Sequence, residues 1–390
     1  MRILMLLSPR MKKLFTLLII LVAFQQVFAQ NEVFKFVQKM YVNKDTTKKS
    51  SILILPSLSS SPENGTEVGA VALYSFYTDT VPHSITRLSD IYWYGNISSK
   101  GQQREGMDIS YWQPLNTWHY TMLSGYMNYP FNFYGIGNNT SNANKESIEE
   151  KRTRFDFSTE KKLGDNLYAG LVYGVFKYYY YSGTYNQNIP FKTNPLIQNH
   201  TGGSGLYAGP DLTFDTRDNN SYTTKGVYIG SYLDLIHGIF GNNSYKGGLY
   251  AFKYSEFFSL DKKLVLGLNG QEQNIIGYRS PFYLLPQLGS DALMRGYYTG
   301  RYRDRNLIAA QAELRYRILN RFGIVGFVGT GEVAQNAFTA KALKPDYGGG
   351  LRYFFDPKKG LSIRADYGIG EKPIGEPRET GFYLALGEAF

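Results

Sequence analysis

The sequence predicts an all-β protein, a transmembrane antiparallel β-barrel of about 16 strands. Three observations carry that expectation. Apolar and charged residues alternate with a period of two, the alternating runs extend to ten residues and beyond, and the links between runs alternate between short and long.

The alternation is clearest where one face is ionic. Arg152, Arg154, Asp156, Ser158 and Glu160 alternate with Thr153, Phe155 and Phe157. Gln311, Glu313, Arg315 and Arg317 alternate with Ala310, Ala312, Leu314, Tyr316 and Ile318, and Ser362, Arg364 and Asp366 with Leu361, Ile363, Ala365, Tyr367 and Ile369. A strand half buried in a soluble sandwich alternates as well, but its length is about 5–6 residues, whereas a tilted strand crossing a bilayer needs about 9–11. The long runs and the charged inner face favour the barrel.

In chain order, Met11-Lys12-Lys13, the apolar run 14–24 and Val27-Phe28-Ala29 form the pattern of a secretory signal peptide over 1–29. That run is too short to span a bilayer, which takes about 20 apolar residues in a helix. Residues 30–50, with the basic stretch 44–49, are expected as a short periplasmic segment, and 51–390 as the barrel, exported to the outer membrane. Strands are expected at 51–60, 66–77, 84–97, 102–113 and 118–129, then 150–162, 166–180, 204–216, 225–237, 244–258 and 263–276. The last five are expected at 304–318, 321–334, 344–355, 359–369 and 379–390. Short links at Leu163-Gly164-Asp165, Leu260-Asp261-Lys262, Asn320-Arg321 and Asp356-Pro357-Lys358 fall on one rim, expected to be periplasmic. Long links at 130–149, 181–203, 277–303 and 370–378 fall on the other. Tyr and Phe suit interfacial girdles, and Gly170, Gly174, Gly209, Gly267 and Gly368 sit at inner-facing positions. Pro210 within a strand calls for a bulge or a strand end.

Composition narrows the function classes. The absence of cysteine removes disulfides, thiolate metal sites and thiol nucleophiles. A mean hydropathy of −0.31 with a single long apolar run excludes a bundle of membrane helices. The net charge of +10 includes four cations in the leader, and no segment concentrates Lys or Arg, so nucleic acid is not an expected partner. His83, His119, His200 and His237 show no metal-ligand spacing, and sequence order alone argues no Ser/His/Asp arrangement. Gly329-Thr330-Gly331-Glu332-Val333-Ala334 matches a loose dinucleotide fingerprint without the helix-strand units that would support it. No cofactor, metal or catalysis is expected.

Three motifs carry a family resemblance. Residues 209–219, from Gly209-Pro210-Asp211 through Asp215-Thr216-Arg217-Asp218-Asn219, followed by Thr224-Lys225-Gly226, resemble a strand-turn-strand motif of the BamA/TamA family, also called the bacterial surface antigen family. Leu293-Met294-Arg295-Gly296-Tyr297 is similar to that family's Arg-Gly-aromatic motif. Phe382, Leu384, Leu386 and the terminal Phe390 resemble the C-terminal signal by which outer-membrane barrels reach the assembly machinery. The resemblance implies that the loop between strands 11 and 12 folds into the lumen, carrying Arg295, Gly296 and Tyr297.

An arginine brought into a lumen needs a carboxylate, because an unpaired buried charge costs several kcal/mol, and inward-facing Glu313 is the expected partner. The family's second acid, in a Phe-x-Asp-x-Gly pattern, is missing. Here Gly329 stands at its place, and Glu332 is out of phase and expected to face lipid. Asp215, Arg217 and Asp218 are expected to form a charged periplasmic turn. The resemblance further implies assembly, insertion or export of outer-membrane proteins or lipids. Polypeptide-transport-associated domains do not fit within 30–50, so a barrel-only member with a separate periplasmic partner is expected. The alternatives are a passive pore or structural surface protein with a plugged lumen, and an adhesin or receptor displaying 130–149 and 181–203.

Overall fold

The computed structural model describes residues 50–79, 86–182, 191–195, 197–240, 245–357 and 360–390. The expected leader, nearly all of the 30–50 segment and His83 lie outside these residues. Sixteen strands form a closed antiparallel barrel in which sequence neighbours pair and the last strand meets the first. Residues Ile54–Phe390 make up one compact unit. The strands are β1 (Ser50–Ser61), β2 (Gly65–Phe76), β3 (Ser89–Ser98), β4 (Gln103–Trp112), β5 (Trp118–Phe133), β6 (Glu146–Gly164), β7 (Leu167–Ser182) and β8 (Gly202–Asp215). They continue as β9 (Gly226–Phe240), β10 (Lys246–Asp261), β11 (Leu264–Ile276), β12 (Asn306–Tyr316), β13 (Phe322–Ala334), β14 (Lys344–Asp356), β15 (Leu361–Ile369) and β16 (Thr380–Leu386).

Closure follows from the solvent on each face. Along β12, Leu307, Ala309, Gln311, Glu313 and Arg315 are buried on the lumen side, while Ile308, Leu314 and Tyr316 are exposed on the outer wall. Hydrocarbon offers the backbone no hydrogen-bond partner, so a sheet with this outer face is compatible with lipid when its ladder closes.

Each expected strand corresponds to an observed one. β5 and β6 run further than expected and shorten the 130–149 link to 134–145, because Phe133 and Ile148 continue the inward phase and are buried in a lumen cluster with Phe176, Tyr178, Phe282 and Tyr283. The rings of Tyr178 and Tyr283 stack at 4.8 Å, and those of Tyr180 and Phe282 meet at 65° and 4.6 Å. The long-link end of this half of the lumen is therefore filled with packed aromatic and aliphatic side chains. Pro210 pairs with Leu171 on β7, and the β8–β9 register carries partners for Ala208 and Asp211 but for neither residue between them. The missing N–H thus falls in a gap of the ladder.

The last strand is shorter than the expected 379–390. It ends at Leu386, and Gly387, with φ of 79°, turns the tail inward. Phe382 and Leu386 remain exposed on the outer wall, but Phe390 lies inside, its ring 4.8 Å from the Arg315 guanidinium and 5.7 Å from the Phe257 ring. Glu388 accepts from Arg352 at 2.6 Å and the Phe390 carbonyl accepts from Arg315 at 2.8 Å. The expected terminal set therefore divides between two faces, because inner-wall arginines draw the acidic tail into the lumen.

Candidate functional site

The segment between β11 and β12 builds the site. Met294 adopts a left-handed conformation (φ 61°), and Tyr297 N donates to the Met294 carbonyl at 3.2 Å. This turn aims Arg295 at the wall formed by β12 to β15.

Arg295 is wholly buried. It donates through Nη2 to Glu313 Oε2 and through Nη1 to Asp366 Oδ2, the latter at 2.6 Å, and its guanidinium lies 3.5 Å from the centre of the Phe327 ring. Its backbone N–H donates to Asp346 Oδ2 at 3.1 Å, and that of Gly296 to Asp346 Oδ1 at 2.8 Å. Glu313 also accepts from Arg315 at 2.8 Å; Asp366 also accepts from Arg352 at 2.5 Å and Arg364 at 3.2 Å. Buried like charges are spaced by opposite ones, which is what allows so many ions to stay charged away from water.

Glu313 accepts from Arg295, and so does Asp366, while Asp346 accepts from its backbone; sequence reasoning assigned neither aspartate to it. Asp346 on β14 is the register partner of Gly329 on β13, so a carboxylate stands directly across the ladder from the position where the motif's aspartate is missing. Asp366 was visible as an inner-face residue of β15, but its approach to the loop depends on cross-strand register. Glu332 corrects an expectation. It keeps the outward phase of its partner Ile308 but is buried, because the link after β13 folds back and Thr339 N donates to Glu332 Oε1 at 2.6 Å. The Gly329–Ala334 stretch lies within β13, with no helix following it.

The next residues of the loop fasten it across the barrel. Tyr297 OH donates to the Pro345 carbonyl at 2.5 Å, and the Tyr297 carbonyl accepts from Tyr383 OH on β16 at 3.2 Å. Thr299 N donates to Glu63 Oε1, in the link between β1 and β2, at 2.5 Å. Arg301 pairs with Glu376 at 2.5 Å and with Glu379, both in the link between β15 and β16. Burial pushes the Glu376 carboxyl upward, but hydrogen bonds from Ser141, Arg301 and Asn142 N outweigh it and hold the group below its ordinary range. Burial of Arg303 pushes its guanidinium down to about 10. The loop thus touches β16 and the link that follows β1. Behind the β1/β16 junction is a cavity of about 340 Å³ lined by Ser60, Glu63, Asp291, Thr299, Leu384 and Ala385, among others.

With this geometry in view, comparison with known proteins is decisive at the family level. The Omp85 superfamily domain matches residues 94–390. The chain belongs to the Omp85 superfamily. This Omp85 barrel is similar in fold to BamA from Haemophilus ducreyi lacking POTRA domains 1-3, at 11% identity and a TM-score of 0.58, covering 87% of this chain and 70% of that one. It is also similar to CdiB from Acinetobacter baumannii (11%, TM-score 0.55, covering 87% and 60%) and to CdiB from Escherichia coli (10%, 0.53, covering 90% and 69%). At such identities the likeness shows the fold, and an outer-membrane location follows from that fold. No curated protein sequence matches the chain.

The second motif of this Omp85 chain does more than turn between strands. Asp215 accepts from Arg217 Nε at 3.0 Å and Nη2 at 3.1 Å, and from Arg87 Nη1, in the link between β2 and β3, at 3.3 Å. Asp218 accepts from Thr224 N at 2.9 Å and Thr224 Oγ1 at 2.6 Å. Burial pushes its carboxyl up, and these bonds together with those from Lys225 and its own backbone bring it below the ordinary range. Between them, Tyr222 reaches the wall at β14, where its ring meets Phe354 edge-on at 5.2 Å and Arg317 lies 4.1 Å from the Phe354 ring. The turn therefore crosses the short-link mouth. Asp215→Ala is expected to cost about 1–3 kcal/mol, since it strands two partly buried guanidiniums, and to make the 216–225 turn cleavable by added protease. A protection pattern equal to the unmodified protein would show that the tie contributes nothing.

Proposed function

We propose that this Omp85 barrel assists the assembly, insertion or export of outer-membrane proteins or lipids, together with a separate periplasmic partner. The observation that carries the reading is the buried loop tied to β16 through Tyr383 and to the β1–β2 link through Glu63, beside the β1/β16 junction. Among the described residues Ser60 on β1 pairs with Leu384 on β16, where the ladder closes on itself. Should that closure part, unpaired edge groups in lipid strongly favour any strand that completes them. BamA and CdiB, the named structural relatives, support the same reading. A passive pore fits less well, because the 277–305 loop and the 216–225 turn cross the two mouths.

The chain contains no cysteine, so Ser60→Cys with Leu384→Cys puts a single thiol on each edge. As direct cross-strand partners their Cβ atoms lie about 4.5–5.5 Å apart, close enough for a disulfide to form with small adjustment. In cells depending on this variant, oxidation is expected to change the outer-membrane protein or lipid profile and a reductant to restore it. An unchanged profile with the crosslink quantitatively formed rejects an opening junction.

A further inference from the structure

We propose that Ser110, His119 and Glu160 form a nucleophilic triad on the lumen wall that cleaves carboxylic esters, an activity separate from the junction and the Arg295 loop. Ser110 Oγ lies 3.0 Å from His119 Nε2, and His119 Nδ1 lies 2.7 Å from Glu160 Oε2. The three come from β4, β5 and β6, adjacent strands whose register sets His119 opposite Glu160. Their sequence spacing therefore reveals nothing of the arrangement.

The roles follow from the partners. An ionised Glu160 only accepts, so Nδ1 carries the imidazole proton and Nε2 presents a lone pair to the Ser110 hydroxyl. The ring is fixed by parallel stacking on Trp112, 3.7 Å between centroids and 9° between planes, and Trp112 is held by the edge of Tyr168 and by Arg87 at 4.9 Å. The His119 and Glu160 side chains are 14% and 7% exposed, so a stacked, largely buried imidazole faces a half-buried serine.

Glu160, Gly170 and Asp211 share one row across β6, β7 and β8, so the next inward acid beyond Glu160 is separated from it by a residue without a side chain.

The step balances with water as the second reactant. Ser110 Oγ bonds to the ester carbonyl carbon while its proton passes to His119 Nε2; the carbon–alkoxy bond breaks, and the alcohol leaves with that proton. Water then attacks the acyl-serine, again giving a proton to His119, and its return to Ser110 Oγ releases the carboxylic acid. Thr121, the register partner of Ser110, hydrogen-bonds Ser158 at 2.7 Å. Their mutual bond uses one of two hydroxyl protons, and the other is available to the developing oxyanion.

The test is fluorophosphonate labelling of the full-length barrel in detergent, with the adduct mapped by peptide mass spectrometry and folding followed by heat-modifiable gel mobility. The expected adduct is on Ser110, absent in His119→Gln. Glu160→Gln is expected to slow labelling about 10³–10⁴-fold through the wrong tautomer. p-Nitrophenyl acetate hydrolysis should follow the same order. Folded protein that takes no label at Ser110, or takes it equally in His119→Gln, overturns the triad and leaves a hydrogen-bonded tie between strands. Because the native serine is mapped directly, absence of label on the folded unmodified protein rejects the triad without recourse to a variant.

Discussion

Asp366→Ala is expected to be among the most damaging single substitutions in the barrel, more so than Arg295→Ala. Counting partners decides the order. Removing Arg295 leaves Glu313 with Arg315 and Asp366 with Arg352 and Arg364, so neither carboxylate is stranded. Removing Asp366 takes a shared acceptor from Arg295, Arg352 and Arg364 at once, leaving them Glu313, which Arg315 already shares, Glu388 and the exposed Asp291, so buried cations then outnumber the buried acids. Each of the three guanidiniums is nearly or fully buried, and taking one partner from a buried ionic cluster costs about 3–5 kcal/mol. Asp366→Asn should fall between, since the amide oxygen still accepts but the charge is gone. The measurement is the urea midpoint of the refolded barrel in detergent, with trypsin cleavage in 277–305 reporting release of the loop. If Asp366→Ala unfolds no earlier than Arg295→Ala, the acid is not the hub of the cluster.

The same cluster shows what was readable from the amino acids and what was not. The wall was readable because a period of two survives in nearly every strand, and a charged inner face such as Gln311, Glu313 and Arg315 suits a polar lumen far better than the apolar core of a sandwich. Arg295 and Glu313 could be paired because both had to enter the lumen and charge demanded a partner. Asp346 and Asp366 could not, since their nearness to Arg295 arises from register across β13, β14 and β15, which local pattern does not encode. The acidic position is empty at Gly329, and its register partner Asp346 supplies a carboxylate from the next strand. Glu332 and Phe390 were misplaced for a related reason. Strand phase tells which way a side chain starts, but a folded-back link or an inward-turning tail decides what covers it.

Gly368→Ala tests the seat of the loop independently of its charges. Gly348, Gly368 and Gly381 are successive register partners across β14, β15 and β16, a row with no side chains under the loop. A Cβ at Gly368 would lie 2.6 Å from Gly296 N and still nearer the Arg295 carbonyl group, inside any tolerable contact. These are backbone atoms, anchored by Asp346 on one side and by the Arg295 ion pairs on the other, so the added methyl cannot be relieved by a rotamer change. Overpacking of this kind costs about 1–3 kcal/mol, and here the strain falls on the turn that delivers Arg295. The variant is expected to lower the urea midpoint and expose 277–305 to protease, although every charge remains in place. Gly326 is the matched control, a β13 glycine whose added Cβ meets nothing within 4 Å, and Gly326→Ala should leave both readouts near the unmodified protein. Equal behaviour of the two variants would mean that the loop rests on its ion pairs alone and that the row of glycines has no part in seating it.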